Sequence, residues 1–118
     1  MKVNMKIERF EDILAWQKAK KLTKEIYTIF SDCRDFAFKE QLQRASVSVM
    51  NNIAEGFERK SNNEFKYFLY ISKGSCGEVR SMLLLAYELH KINQTDFEEM
   101  SLLSEEISKM LSGFIKTL

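Results

Sequence analysis

The sequence predicts an all-α fold, an antiparallel up-down-up-down four-helix bundle, and three observations lead to it. The chain of 118 residues has no proline and only four glycines, so no helix interior is forced to break and turn signals are sparse. Apolar residues recur at three- and four-residue spacing through four long stretches, the pattern of helices with a buried face. The joints between those stretches are short, which makes consecutive helices antiparallel neighbours. The helices are expected at about residues 12–30, 37–59, 62–91 and 96–117 of a single domain spanning 1–118.

Met1 to Phe10 reads as an extended, basic lead-in, and Asp12 as the cap of the first helix. Ala15, Ala19, Leu22, Ile26 and Ile29 form the core stripe of that helix, with Trp16 and Phe30 on its flank. Ser31 to Asp35 is a polar connection. The second helix carries Leu42, Ala45, Val49, Ile53 and Gly56 on one stripe and Val47, Met50, Ala54 and Phe57 on another, with Arg44, Asn51 and Glu55 on a polar sector. Ser61-Asn-Asn-Glu64 is a capping box directly before an apolar run, a specific helix start.

The third helix is the longest and also has two seams. Phe65, Leu69, Ser72, Cys76, Val79, Leu83, Ala86 and His90 follow one, and Ile71, Ser75, Glu78, Met82, Leu85 and Leu89 the other. Gly74 and Gly77 lie mid-helix, where each costs about 1 kcal/mol relative to alanine. Close approach of another helix backbone would compensate; a tolerated surface glycine is the alternative. His90 reads as a packed residue ending the inner seam. Thr95-Asp-Phe-Glu98 reads as a second capping box, and Phe97, Met100, Ser104, Ile107, Leu111 and Leu118 as the inner face of the last helix.

The formal net charge is +1, from 18 basic and 17 acidic residues, without the excess of a strongly basic nucleic-acid binder. Two cysteines, Cys33 and Cys76, make no disulfide framework and fit a reducing, cytoplasmic setting. Neither a secretory leader nor an apolar run of about 20 residues is present, so a membrane partner is not expected.

One bundle core uses one stripe per helix, yet the second and third helices each carry two. The surplus would be an apolar patch on a single copy, and such patches mark interfaces. A homo-oligomer with closed symmetry is therefore expected. The candidate contact residues are Arg44, Val47, Met50, Ala54 and Glu55 on the second helix, and Ile71, Gly74, Ser75, Glu78, Met82 and Leu85 on the third. Arg44 is expected to pair with Glu55 or Glu78 at or near that contact. Lys18, Lys20, Lys21 and Lys24 on the first helix, a solvated face on the plainer reading, are candidate phosphate contacts together with Lys66, Lys73 and Arg80 on the third.

The chain resembles the bacterial four-helix-bundle family described as 23S rRNA-intervening sequence proteins, also called ribosomal-protein-like. Phe10-Glu11-Asp12 with Trp16-Gln17-Lys18-Ala19 is similar to the family's opening. Gln41-Leu42-Gln43-Arg44-Ala45, Val47-Ser48-Val49 and Asn52-Ile53-Ala54-Glu55-Gly56 are similar to its central signature. Ser61, Glu64-Phe65, Phe68-Leu69, Gly74-Ser75 and Glu78 resemble its third helix. Met50-Asn51 stands where the family commonly has proline then serine, and Ser31–Asp35 lacks the usual proline, so a proline kink is not carried over. The resemblance implies a four-helix bundle assembled as a homopentamer, with RNA as the partner presumed for the family. Also similar is the accessory variability determinant of diversity-generating retroelements, which implies a nucleoprotein partner such as a reverse transcriptase complex.

Catalytic constellations are not evident. A di-iron bundle uses Glu-x-x-His pairs, and the lone His90 has Tyr87 three residues before it. Glu98, Glu99, Glu105 and Glu106 could serve a metal-dependent hydrolase, but no second helix offers matching acids, and a solvated face is favoured. The expectation is a cytoplasmic, non-enzymatic oligomer without cofactor. It would serve as a scaffold or adaptor on structured RNA or a nucleoprotein, or else as a protein–protein assembly with no nucleic-acid role.

Overall fold

The computed structural model describes residues 7–118. The expected extended lead-in therefore falls largely outside the described residues. Among the described residues a 3-10 turn, Phe10–Asp12, precedes four α-helices: α1 (Leu14–Ile29), α2 (Phe36–Phe57), α3 (Asn62–Glu88) and α4 (Gln94–Lys116). The described residues hold no strand. The helices form a rod of 46 × 22 × 19 Å in which α1 packs on α2 and α4, and α3 packs on α2 and α4. The pairs α1/α3 and α2/α4 are the diagonals. No helix among the described residues is long and apolar enough to cross a membrane.

The periodic positions become the core. Leu42, Val49, Ile53, Phe65, Leu69, Cys76, Val79, Leu83, Ala86, Ile107 and Leu111 have no exposed surface. Phe57, read on the second stripe of α2, instead meets Phe65 edge-on at 6.0 Å inside that core. Met50 lies inside the uninterrupted α2, where the chain has no proline to break the helix.

Three of the four adjacent helix pairs share one contact type. Thr23 Oγ1 donates to the Ser46 carbonyl at 3.0 Å, joining α1 to α2. Ser72 Oγ donates to the Val49 carbonyl at 2.7 Å, joining α3 to α2, and Cys76 Sγ donates to the Ser104 carbonyl at 3.1 Å, joining α3 to α4. Each small side chain satisfies its own polar atom while letting two backbones come close. The α1–α4 pair is joined instead by a surface ion pair, Lys18 to Glu106 at 2.9 Å.

Gly56 completes the α2–α3 packing. A Cβ at Gly56 would lie 2.8 Å from Phe68 Cβ and 2.9 Å from Phe65 Cδ1. Gly74 and Gly77 have nothing within 4 Å, so the close helix approach allowed for at these two is absent within the chain.

The helix ends follow local chemistry, with three departures from expectation. Ser61 caps α3 by accepting from the Glu64 amide at 3.2 Å, and Glu64 in turn accepts from the Ser61 hydroxyl. Asp12 does not cap α1; it belongs to the 3-10 turn, and the N-cap position is the buried Ile13, which has no side-chain cap. At α4 the cap is Asn93, accepting from the Asp96 amide at 2.7 Å, so the box starts two residues before Thr95. Asn93 precedes a first turn containing Asp96, the same chemistry in an earlier register.

The third departure is His90, which is exposed and left-handed, with φ 59°, rather than packed. Its amide donates to the Tyr87 carbonyl at 3.1 Å, and the Lys91 amide to the Ala86 carbonyl at 2.8 Å. This paired bonding is a Schellman stop, normally a glycine's task. Lys91 then pairs with Asp35 at 3.3 Å, tying the α3–α4 joint to the α1–α2 joint.

Two substitutions test this packing. Gly56→Ala should lower unfolding stability by about 1–3 kcal/mol despite its better helix propensity, because the phenylalanine side chains cannot yield freely. His90→Gly should raise it by up to about 1 kcal/mol by removing the left-handed strain. Chemical denaturation of both variants measures these effects.

Candidate interaction surface on α2 and α3

A contact between copies would have to be made by what the bundle leaves outside. Among the described residues eleven large hydrophobic side chains remain exposed; six lie on α3 (Tyr67, Tyr70, Ile71, Leu84, Leu85, Tyr87) and a seventh, Leu89, is its C-cap. The surplus is thus concentrated on one helix. Positions 67, 70, 74, 77, 81, 84 and 88 step by three and four along its outer face, with tyrosines at one end, Leu84 near the other, and Gly74, Gly77 and Ser81 between. The small residues form a low saddle between taller apolar shoulders. Tyr67, Tyr70 and Leu84 were not among the expected contact residues, although this seven-residue period could have found them.

The expected contact residues divide. Ile71 and Leu85 are 37% and 48% exposed, and Gly74, one turn from Ile71, is exposed as well. Met82, at 9%, belongs to the core of its own chain. Val47, Met50 and Ala54 are half-buried, Met50 packing on the core, and the 3-10 turn lies against α2. The second stripe of α2 is therefore partly covered from within the chain.

The polar candidates meet in the α2–α3 furrow. Ser48 Oγ and Ser75 Oγ lie 2.8 Å apart, and Asn52 Nδ2 donates to the Ser48 carbonyl at 2.8 Å and to its hydroxyl at 3.0 Å. Gln41 Nε2 donates to Glu78 at 3.3 Å. Arg44 does not pair with Glu55 or Glu78 in the chain. It binds Glu40 at 2.6 Å, one turn back on the same helix, while Glu55 binds Arg59 at 3.4 Å. Local four-residue pairs are closer at hand than a partner across the furrow. These are exposed pairs, worth about 0–1 kcal/mol each.

The basic candidates do not form one patch. Lys18 is taken by Glu106, Arg80 by Glu105 at 3.4 Å, and Lys20 sits over the Trp16 ring at 5.2 Å. Lys21, Lys24, Lys66 and Lys73 form no ion pair among the described residues. Those on α1 and those on α3 ride on diagonally opposite helices.

No group of three or more His, Cys, Asp or Glu among the described residues is placed to hold a metal ion. Of the α4 acids considered for metal, Glu98 accepts from Gln94, Glu105 pairs with Arg80 and Glu106 with Lys18. Burial pushes the Cys76 thiol from its ordinary 9.0 up to about 11, which suppresses the reactive thiolate. Cys33 is half-buried near the α1–α2 joint.

A raised thiol pKa sets a sign for alkaline stability. The unfolded chain loses the Cys76 proton first, so the contribution is present below about pH 9 and is lost as pH rises toward about 11. Cys76→Ala should flatten this decline in pH-dependent denaturation. In the native protein iodoacetamide should label Cys33 well before Cys76, and equal rates would contradict the burial.

Comparison with known proteins fits this architecture. A solved structure of a protein of unknown function from the S23 ribosomal protein family, from Bacteroides thetaiotaomicron, superposes with a TM-score of 0.82 at 24% identity, covering 87% of this chain and 99% of that one. No curated protein matches. The family model described as 23S rRNA-intervening sequence protein matches residues 11–113, from the 3-10 turn into the last turn of α4. The chain belongs to the 23S rRNA-intervening sequence protein family.

Proposed function

We propose that this protein is a non-enzymatic, cytoplasmic, homo-oligomeric scaffold or adaptor whose outer α3 face is the contact between copies. The observation that carries the reading is the concentration of exposed large hydrophobics on α3 and its C-cap. Covering a half-exposed leucine is worth about 1 kcal/mol, and several lie within one helix length. The saddle at Gly74 and Gly77, open to at least 4 Å, supports close seating of a neighbour there. Five is the number of copies implied by the resemblance to pentameric relatives.

In such an assembly the unpaired lysines of α1 and α3 recur in every copy. Weak phosphate contacts then add through multivalency, and structured RNA or a nucleoprotein is the proposed cargo. A second reading, an assembly of protein partners alone, is favoured by the charge layout: Lys18 and Arg80 are already neutralised, and the rest are split between diagonal helices.

Sedimentation at micromolar concentration tests the assembly. The wild type should be a defined species well above the 13.9 kDa of one chain, and Leu85→Glu should reduce it to monomers of unchanged helix content. A monomeric wild type would sink the proposal. Gel shifts with a structured RNA over a salt series, beginning near 50 mM, separate the two readings. Binding that falls steeply with salt and is lost in Lys66→Glu/Lys73→Glu supports RNA; no binding at the lowest salt leaves the protein assembly.

A further inference from the structure

We infer that a second copy of this chain docks by a two-fold axis on the groove between α1 and α4, a surface separate from the α3 face. The groove is continuous. Three hollows of about 690, 380 and 270 Å³ follow one another along it: the first and second share Lys21, Leu102 and Leu103, and the second and third share Glu25, Glu99 and Met100. It opens along the one adjacent helix pair that lacks a small-side-chain bond to a neighbour's carbonyl.

Leu102 lies at its middle and is 66% exposed, the most exposed large hydrophobic among the described residues. Around it charge is segregated by what the fold has already neutralised. Toward one end, Glu106 is answered by Lys18 and Glu105 by Arg80, which leaves Lys109 as a surplus cation, with Lys21 nearer the middle. Toward the other end, Glu25, Glu99 and Asp96 have no cationic partner among the described residues.

Such a surface complements itself. Lys109 lies seven residues to one side of Leu102 and Asp96 six to the other, about 10 Å and about 9 Å along the helix axis. A two-fold through Leu102 therefore lays each copy's Lys109 on the other's Asp96, brings Lys21 toward the other's Glu25 and Glu99, and stacks the two leucines. A contact confined to this groove falls short of the ~800 Å² per partner of a stable complex, so it is a weak, salt-sensitive dimer.

The test keeps this contact apart from the α3 reading by working in Leu85→Glu protein. At low salt this background should dimerise at high micromolar concentration, and Leu102→Glu should weaken the dimer at least about tenfold. Two charge variants then decide. One, Lys21→Glu/Lys109→Glu, makes both ends of the groove acidic; the other, Glu25→Lys/Asp96→Lys/Glu99→Lys, makes both basic. Each alone should be monomeric with native circular dichroism, and an equimolar mixture should form a one-to-one heterodimer. The inference is overturned if the background stays monomeric to about 500 µM in about 20 mM salt, if either variant self-associates like its parent, or if the mixture does not pair. If Leu85→Glu alone leaves the α3 contact intact, Tyr70→Glu is added to the background before the charge variants are mixed.

Discussion

Thr23, Ser72 and Cys76 hold this bundle at short range by donating to the carbonyls of Ser46, Val49 and Ser104 on the helices beside them. A hydroxyl or thiol buried without a partner costs free energy; here each is satisfied by a backbone carbonyl of the next helix. The side chains are small, so their helices meet closely and the apolar stripes close around them. Gly56 extends the same logic where Phe65 and Phe68 press on α2. The α1–α4 edge has no such contact and is left with a groove bridged by Lys18 and Glu106.

Close packing at three edges also decides what remains outside. Once α2 and α4 have taken the inner seam of α3, its outer face carries Tyr67, Tyr70, Ile71, Leu84 and Leu85, which stay exposed. The 3-10 turn against α2 makes the second stripe of that helix a weaker candidate than its sequence suggests. A family likeness of 24% identity over 87% of the chain speaks to this backbone, not to a partner.

The electrostatics support restraint about nucleic acid and precision about self-contact. Acid and base nearly balance, and much of both is spent on local pairs such as Arg44–Glu40 and Arg59–Glu55. Along the α1–α4 groove the unpaired charges form a polarity, positive toward Lys109 and negative toward Asp96. A repeated, polar arrangement of this kind suits contacts between like copies, where complementary ends are supplied by symmetry.

The helices and their inner faces are legible in the order of residues alone, because a period of 3.6 residues and a cap such as Ser61–Glu64 are local properties of the chain. So are the glycines, the lysines and the surplus of apolar residues on α3. Which helix passes which residue is not local. Helix packing settles that Gly56 rather than Gly74 is pressed by a neighbour, that Met82 is inside while Leu85 is out, and that His90 ends α3 in a left-handed turn. The tertiary structure likewise settles that Arg44 finds Glu40 before any partner across the furrow. These outcomes depend on distances between helices far apart in sequence, or on which of several nearby acids a long side chain reaches first, and periodicity carries neither.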